Sequence, residues 1–111
     1  MQQKKEIKYT PSAIDDMDEI FSYISHDNVA AGERLLENLD FQIEGLAEFP
    51  YIGTVLSEEK YTLVGRGFRF IVVPPYLIFY KIMDDSIIIH RILHGRRDFL
   101  RELFDDFQKE K

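Results

Sequence analysis

At 111 residues, with 45% hydrophobic and 14% aromatic residues, the chain has the size and composition of one globular domain, 1–111, able to bury about two thirds of its unfolded surface. The absence of cysteine excludes disulfides, thiolate metal sites and cysteine nucleophiles. No apolar run is long enough for a membrane span, and Met1 to Glu6 lead into no secretory signal, so no membrane contact and a cytoplasmic location are expected.

The net charge of -6 is divided unevenly: residues 1–65 carry 5 Lys+Arg against 13 Asp+Glu, residues 66–101 carry 7 against 3, and residues 102–111 carry 2 against 4. The regional charges are therefore -8, +4 and -2, and the basic third is also rich in strand-forming residues. A basic strand region suits a polyanion or an acidic peptide equally, and charge alone does not choose between them.

In chain order, Ile7 and Tyr9 alternate with charged neighbours over Glu6–Tyr9, which predicts a first strand. Thr10-Pro11-Ser12 then supplies an N-cap and a proline for the first helical turn, with Asp15 and Asp16 placed to favour the positive end of the dipole. Ile14, Met17, Ile20, Phe21 and Ile24 form the apolar stripe of this helix. Asp27-Asn28 caps a second helix, expected over Val29–Glu48, with Leu35, Leu36, Leu39, Ile43 and Leu46 on its inner face; Ala30, Ala31 and Gly32 make a slim first turn that allows close approach. Pro50 and Gly53 stop it.

The period then changes to that of strands, predicted over 61–64, Phe68–Val73, Tyr76–Ile82 and Ser86–His94. Pro74-Pro75 and Met83-Asp84-Asp85 leave room only for tight turns, so an antiparallel meander is expected. The last strand, with Ile87, Ile88, Ile89, Ile92 and Leu93, lacks alternation, as a central strand covered on both faces would. Gly95 ends it in a basic corner, and a final helix over 98–107 would set Phe99, Leu103 and Phe107 on one face before a frayed tail. The fold class is α+β: an N-terminal strand and an antiparallel helical hairpin packed on an antiparallel sheet, with a short C-terminal helix.

The candidate functional residues cluster in the basic third. Arg69, Arg91, Arg96 and Arg97, with Arg66, Arg101 and Lys81, suit bidentate binding of phosphate or carboxylate, or else form a solvated, salt-bridged face. His90 and His94, four apart on a strand, would share a face about 13 Å apart, too far to share a metal ion, and no metal or cofactor is implied. His94 at the strand end is the better acid–base candidate, against the plainer role of a histidine bonded to backbone. Glu44 and Glu48, one helical turn apart, make a solvated face, and Phe68, Phe70, Tyr76, Phe79 and Tyr80 are core residues or stacking platforms. No phosphate loop, nucleotide fingerprint or serine elbow is present.

Taken in order, Tyr9-Thr10-Pro11, Asp27-Asn28 with Ala30-Ala31, Leu46 with Pro50 and Gly53, Gly67-Phe68-Arg69, Tyr76-Leu77-Ile78-Phe79-Tyr80, Ile92-Leu93-His94-Gly95-Arg96-Arg97-Asp98 and Leu103-Phe104 carry a resemblance that spans nearly the whole chain. The sequence resembles the RelE/ParE superfamily of type II toxins, and Tyr-Leu-Ile-Phe-Tyr with Leu-His-Gly-x-Arg-Asp looks more like the ParE branch, the plasmid stabilisation proteins. That branch implies a toxin that inhibits DNA gyrase by binding, without enzymatic chemistry, and is neutralised by a small cognate antitoxin with a ribbon-helix-helix DNA-binding start. DNA would be met only through the antitoxin. Arg69, Arg91, Arg96 and Arg97 would be its target contacts.

The RelE branch cuts mRNA on the ribosome. Its members typically carry lysines in the strand corresponding to Phe68–Val73, arginines at the positions of Leu77 and Arg97, and a tyrosine near Leu103; only Arg97 matches, leaving His94 and Arg97 as candidates for an mRNA endonuclease. A third alternative is a non-toxic member that serves only as the antitoxin's partner, to which the acidic hairpin lends support.

Overall fold

The computed structural model describes residues 4–55 and 67–95. The predicted strand at 61–64 and helix at 98–107 lie outside the described residues. Strand β1 (Glu6–Tyr9) leads into helices α1 (Pro11–Ser25) and α2 (Val29–Glu48). A 3-10 turn, Pro50–Ile52, then precedes β2 (Thr54–Val55), β3 (Phe68–Val73), β4 (Tyr76–Ile82) and β5 (Ser86–His94).

Both helices begin where their caps dictate. Thr10 Oγ1 accepts the Ala13 N–H at 3.0 Å and donates to the His90 carbonyl at 2.8 Å, so one hydroxyl both starts α1 and fixes it to β5. Asn28 Oδ1 accepts the Ala31 N–H at 3.0 Å. On α2, Leu39, Ile43, Leu46 and Ala47 turn inward as the spacing predicts. At Gly32 an added Cβ would collide with Ser25 Oγ, so the slim turn does bring the helices into close approach.

The stripe of α1 is rotated from its predicted phase. Ala13 is buried while Ile14 is 49% exposed, and Asp16 turns inward rather than serving the helix dipole. The Thr10–His90 bond sets the rotation at the first turn, and the small Ala13 then allows the helix to approach the sheet.

The five strands form one sheet in the order β1-β5-β4-β3-β2. β3, β4 and β5 make the expected antiparallel meander, but β1 runs parallel to β5, with Glu6 opposite Ser86 and Tyr9 opposite Ile89. The sheet is therefore mixed, not antiparallel. Short turns constrain only sequential neighbours, whereas β1 and β5 are the first and last strands and are separated in the chain by both helices and by β2, β3 and β4, so no turn sets their relative direction. β2, two residues long, carries no sequence pattern and was not foreseen; it pairs with β3 at the opposite edge.

The helices cover one sheet face. Its core joins Ala13, Leu39, Ile43 and Leu46 to Val73, Tyr76, Ile78, Tyr80, Ile87, Ile89 and Ile92. Along β5 the helix-facing residues step from 87 and 89 to 92, because a bulge intervenes: Tyr80 lies opposite Ile89 and Phe79 opposite Arg91, with His90 as the extra residue. The missing alternation thus has two causes, burial on both faces and a change of phase.

Candidate binding groove and the basic strand

Because β1 ends at Tyr9, the edge of β5 beyond Ile89 is completed by side chains of the segment that follows. The Ile92 N–H donates to Asp16 Oδ2 at 2.9 Å, so a carboxylate takes the place of a neighbouring strand's carbonyl. Arg91 returns to the same carboxylate through Nε at 2.7 Å and Nη2 at 2.8 Å. This fork-to-fork pair is largely buried, with side chains 15% and 8% exposed, and its cost of desolvation is offset by three convergent hydrogen bonds. Arg91, a candidate target contact from sequence, is a tether between β5 and α1.

Arg69 is also held by the protein. Its Nη1 donates to the Gly53 carbonyl at 2.8 Å, and the guanidinium sits 5.1 Å from the Tyr51 ring centroid. The same loop is fixed from below by Tyr80, whose hydroxyl donates to the Pro50 carbonyl at 2.7 Å and accepts the Gly53 N–H at 3.0 Å. Burial raises the Tyr80 phenol pKa, partly offset by the Gly53 bond and Arg69. At Gly53 a Cβ would strike the Tyr80 hydroxyl, which explains the glycine. Arg96 and Arg97 lie outside the described residues, as do Arg66 and Arg101.

The bulge also separates the two histidines. His90 meets Phe68 edge-to-face at 4.7 Å, on the face away from the helices, while His94 meets Tyr76 at 5.5 Å on the helix side. Their predicted common face is thus corrected: two-residue periodicity fails across an inserted residue. Among the described residues no cluster of three or more His, Asp or Glu side chains could hold a metal ion, and no helix is long and apolar enough to cross a membrane.

His94 instead borders a groove of about 640 Å³ between α1, the start of α2, the start of β4 and the end of β5. Ile20, Tyr23 and Ile24 form one wall, Ala31 and Leu35 a second, and Tyr76 and Ile92 the floor, with Glu19 at the rim. Tyr23 is 81% exposed beside this apolar surface. The Tyr76 phenol pKa is raised by burial and by Tyr23. The groove has the dimensions and lining of a site for apolar side chains.

Sequence reasoning missed Asp16 and the groove. The signal for Asp16 was present: it falls on the stripe of Ile20 and Ile24, and a charged Arg91 within the most apolar strand demands a countercharge. The groove had no such signal, since it is assembled from four elements, α1, α2, β4 and β5.

Two helices on one face of a five-stranded mixed sheet are also the architecture of a solved structure described as the chromosomal ParDE TA system from P. aeruginosa. It is 19% identical, with a TM-score of 0.67, covering 84% of this chain and 98% of that one. Residues 7–99 match the family model for the ParE toxin of the type II toxin-antitoxin system, parDE. A curated relative, toxin RelE2 of Caulobacter vibrioides, is 32% identical over 92 residues, which are 83% of this chain and 97% of the relative. The chain belongs to the ParE toxin family, within the RelE/ParE superfamily of type II toxins. Membership implies a cognate antitoxin as partner.

Proposed function

We propose that this toxin acts by binding its target, DNA gyrase, and has no cleavage chemistry of its own. The observation that carries this reading is a cross-strand row on the sheet face away from the helices: Val72 pairs with Leu77, and Leu77 with Leu93. Phosphodiester cleavage needs an acid or base and cations near the transition state, and the resemblance sets a nuclease arginine at the position of Leu77. Three aliphatic side chains supply neither, with Val72 57% exposed. His94 faces the other way, toward Tyr76 and the groove.

The antitoxin, with a ribbon-helix-helix DNA-binding start, neutralises the toxin by laying an apolar helix into the groove of Tyr23, Leu35 and Tyr76. DNA is then engaged only through the antitoxin, and the cytoplasm is the setting. The name of the Caulobacter relative, RelE2, favours a second reading, ribosome-dependent mRNA cleavage using His94 and Arg97.

Two assays separate the readings. Purified toxin should inhibit gyrase supercoiling and leave ribosome-bound mRNA intact. Codon-dependent mRNA cuts abolished by Arg97→Ala would instead establish the nuclease, and failure in both assays would favour the non-toxic partner role.

A further inference from the structure

The helical hairpin carries an unusual charge for its size. Between Thr10 and Glu48 there are ten carboxylates and one cation, Arg34, a net of -9. Only Asp16 of the ten is buried. Such a surface repels a second copy of itself and attracts cationic partners from a distance.

A pocket of about 320 Å³ opens within this field, between β1, α1 and α2, and shares no lining residue with the groove. Tyr9, Phe21 and Met17 give it aromatic and thioether walls, and Asp18 and Asp40 stand on the facing helices. Among the described residues, neither carboxylate is engaged by a cation. The Tyr9 phenol is pushed up to about 12 by burial first, then by Asp40 and Glu44, so the pocket floor stays neutral while feeling their negative charge.

We propose that this pocket binds the guanidinium of an arginine side chain presented by a basic segment of a partner protein. Two aromatic rings and two carboxylates suit a planar, weakly hydrated cation that stacks and donates in a fork, better than they suit a compact ammonium. The apolar walls take the arginine's methylene stem. The surrounding acids require more than one positive charge to complement them, which selects a basic segment over an isolated cation. Arginine is among the residues that most often anchor an interface from a well-packed pocket.

The test uses labelled full-length protein and a helical 14-residue peptide bearing four arginines, compared by NMR titration with its lysine counterpart and with spermidine. The arginine peptide should shift the Tyr9 and Phe21 ring resonances saturably and bind several-fold tighter than the lysine peptide. Asp18→Asn with Asp40→Asn should weaken it about tenfold or more, whereas Glu33→Gln with Glu37→Gln, equal in charge but away from the pocket, should weaken it by about threefold or less. Phe21→Leu, which keeps an apolar wall and removes the ring, should narrow the preference for arginine over lysine. Equal binding of both peptides, equal loss from the two charge-matched pairs, or spermidine matching the arginine peptide would each overturn the pocket and leave only a diffuse acidic field.

Discussion

The two halves of β5 share β4 on one side and differ on the other. From Ser86 to Ile89 the strand is paired with β1, backbone to backbone. From His90 onward the same edge is held by the side chains of Thr10 and Asp16. A backbone ladder tolerates almost any residue, because the hydrogen-bonding groups belong to the main chain. A side-chain ladder depends on two particular residues, and the tolerance is lost. Substitutions at Thr10 and Asp16 should therefore cost far more than substitutions of exposed residues in β1, such as Glu6 and Lys8.

The largest effect expected is at Asp16. Asp16→Ala leaves the Arg91 guanidinium largely buried without its carboxylate and removes the acceptor of the Ile92 N–H, a loss of about 3–5 kcal/mol in urea unfolding. The comparison sharpens with Asp16→Leu combined with Arg91→Met, which removes both charges and should recover much of that loss. If Asp16→Ala unfolds at the same urea concentration as Glu6→Ala, the side-chain ladder contributes nothing and the two halves are equivalent.

Thr10→Ala should cost about 1–2 kcal/mol, from the lost cap and the lost bond to the His90 carbonyl. Thr10→Ser, which keeps the hydroxyl, should recover most of it. Recovery by serine separates the hydrogen bonds from the packing of the threonine methyl.

These interactions also mark where the sequence was legible. The starts of both helices could be read from Thr10-Pro11 and Asn28, because a cap is a local device, and the inner face of α2 from its spacing. Core positions in the meander followed from turns too short to allow another pairing. What remained hidden depends on contacts across long separations: β1 beside β5, the carboxylate of Asp16 under Arg91, and the bulge at His90. The arginines were visible as a cluster, but whether each faces a partner or the protein itself depends on elements far away in sequence. Arg69 and Arg91 proved to be held within the fold.

A pH titration bears on the β1 half. The Tyr9 phenol, raised toward about 12 in the folded chain from an ordinary value of 10, keeps its proton at a pH where the unfolded chain has begun to lose it. The unfolded state then binds fewer protons, so stability falls as pH rises. The contribution of this group is complete below pH 10 and declines between about 10 and 12. Tyr9→Phe should flatten that alkaline decline, observed by thermal melting at stepped pH, with the slope contributed by Tyr80 and Tyr76 remaining.

The smallest effect on stability is expected at Arg96 and Arg97, which follow Gly95 at the end of β5. The Gly95 N–H is tied to the Pro75 carbonyl at 2.8 Å, so the strand is anchored before these two arginines begin. The glycine before them predicts from sequence that both side chains are exposed, and substitutions of exposed residues usually change stability by about 0.5 kcal/mol or less, whereas a lost charge-assisted contact to a desolvated partner costs about 2 kcal/mol, or some thirtyfold in affinity. Arg96→Ala with Arg97→Ala should therefore abolish growth inhibition and leave the melting temperature and antitoxin binding nearly intact. Arg91→Ala should do the reverse, lowering the melting temperature first through the stranded Asp16 carboxylate. If the Arg96 and Arg97 pair melts as early as Arg91→Ala, the basic corner is structural throughout and target binding must be sought elsewhere on the molecule.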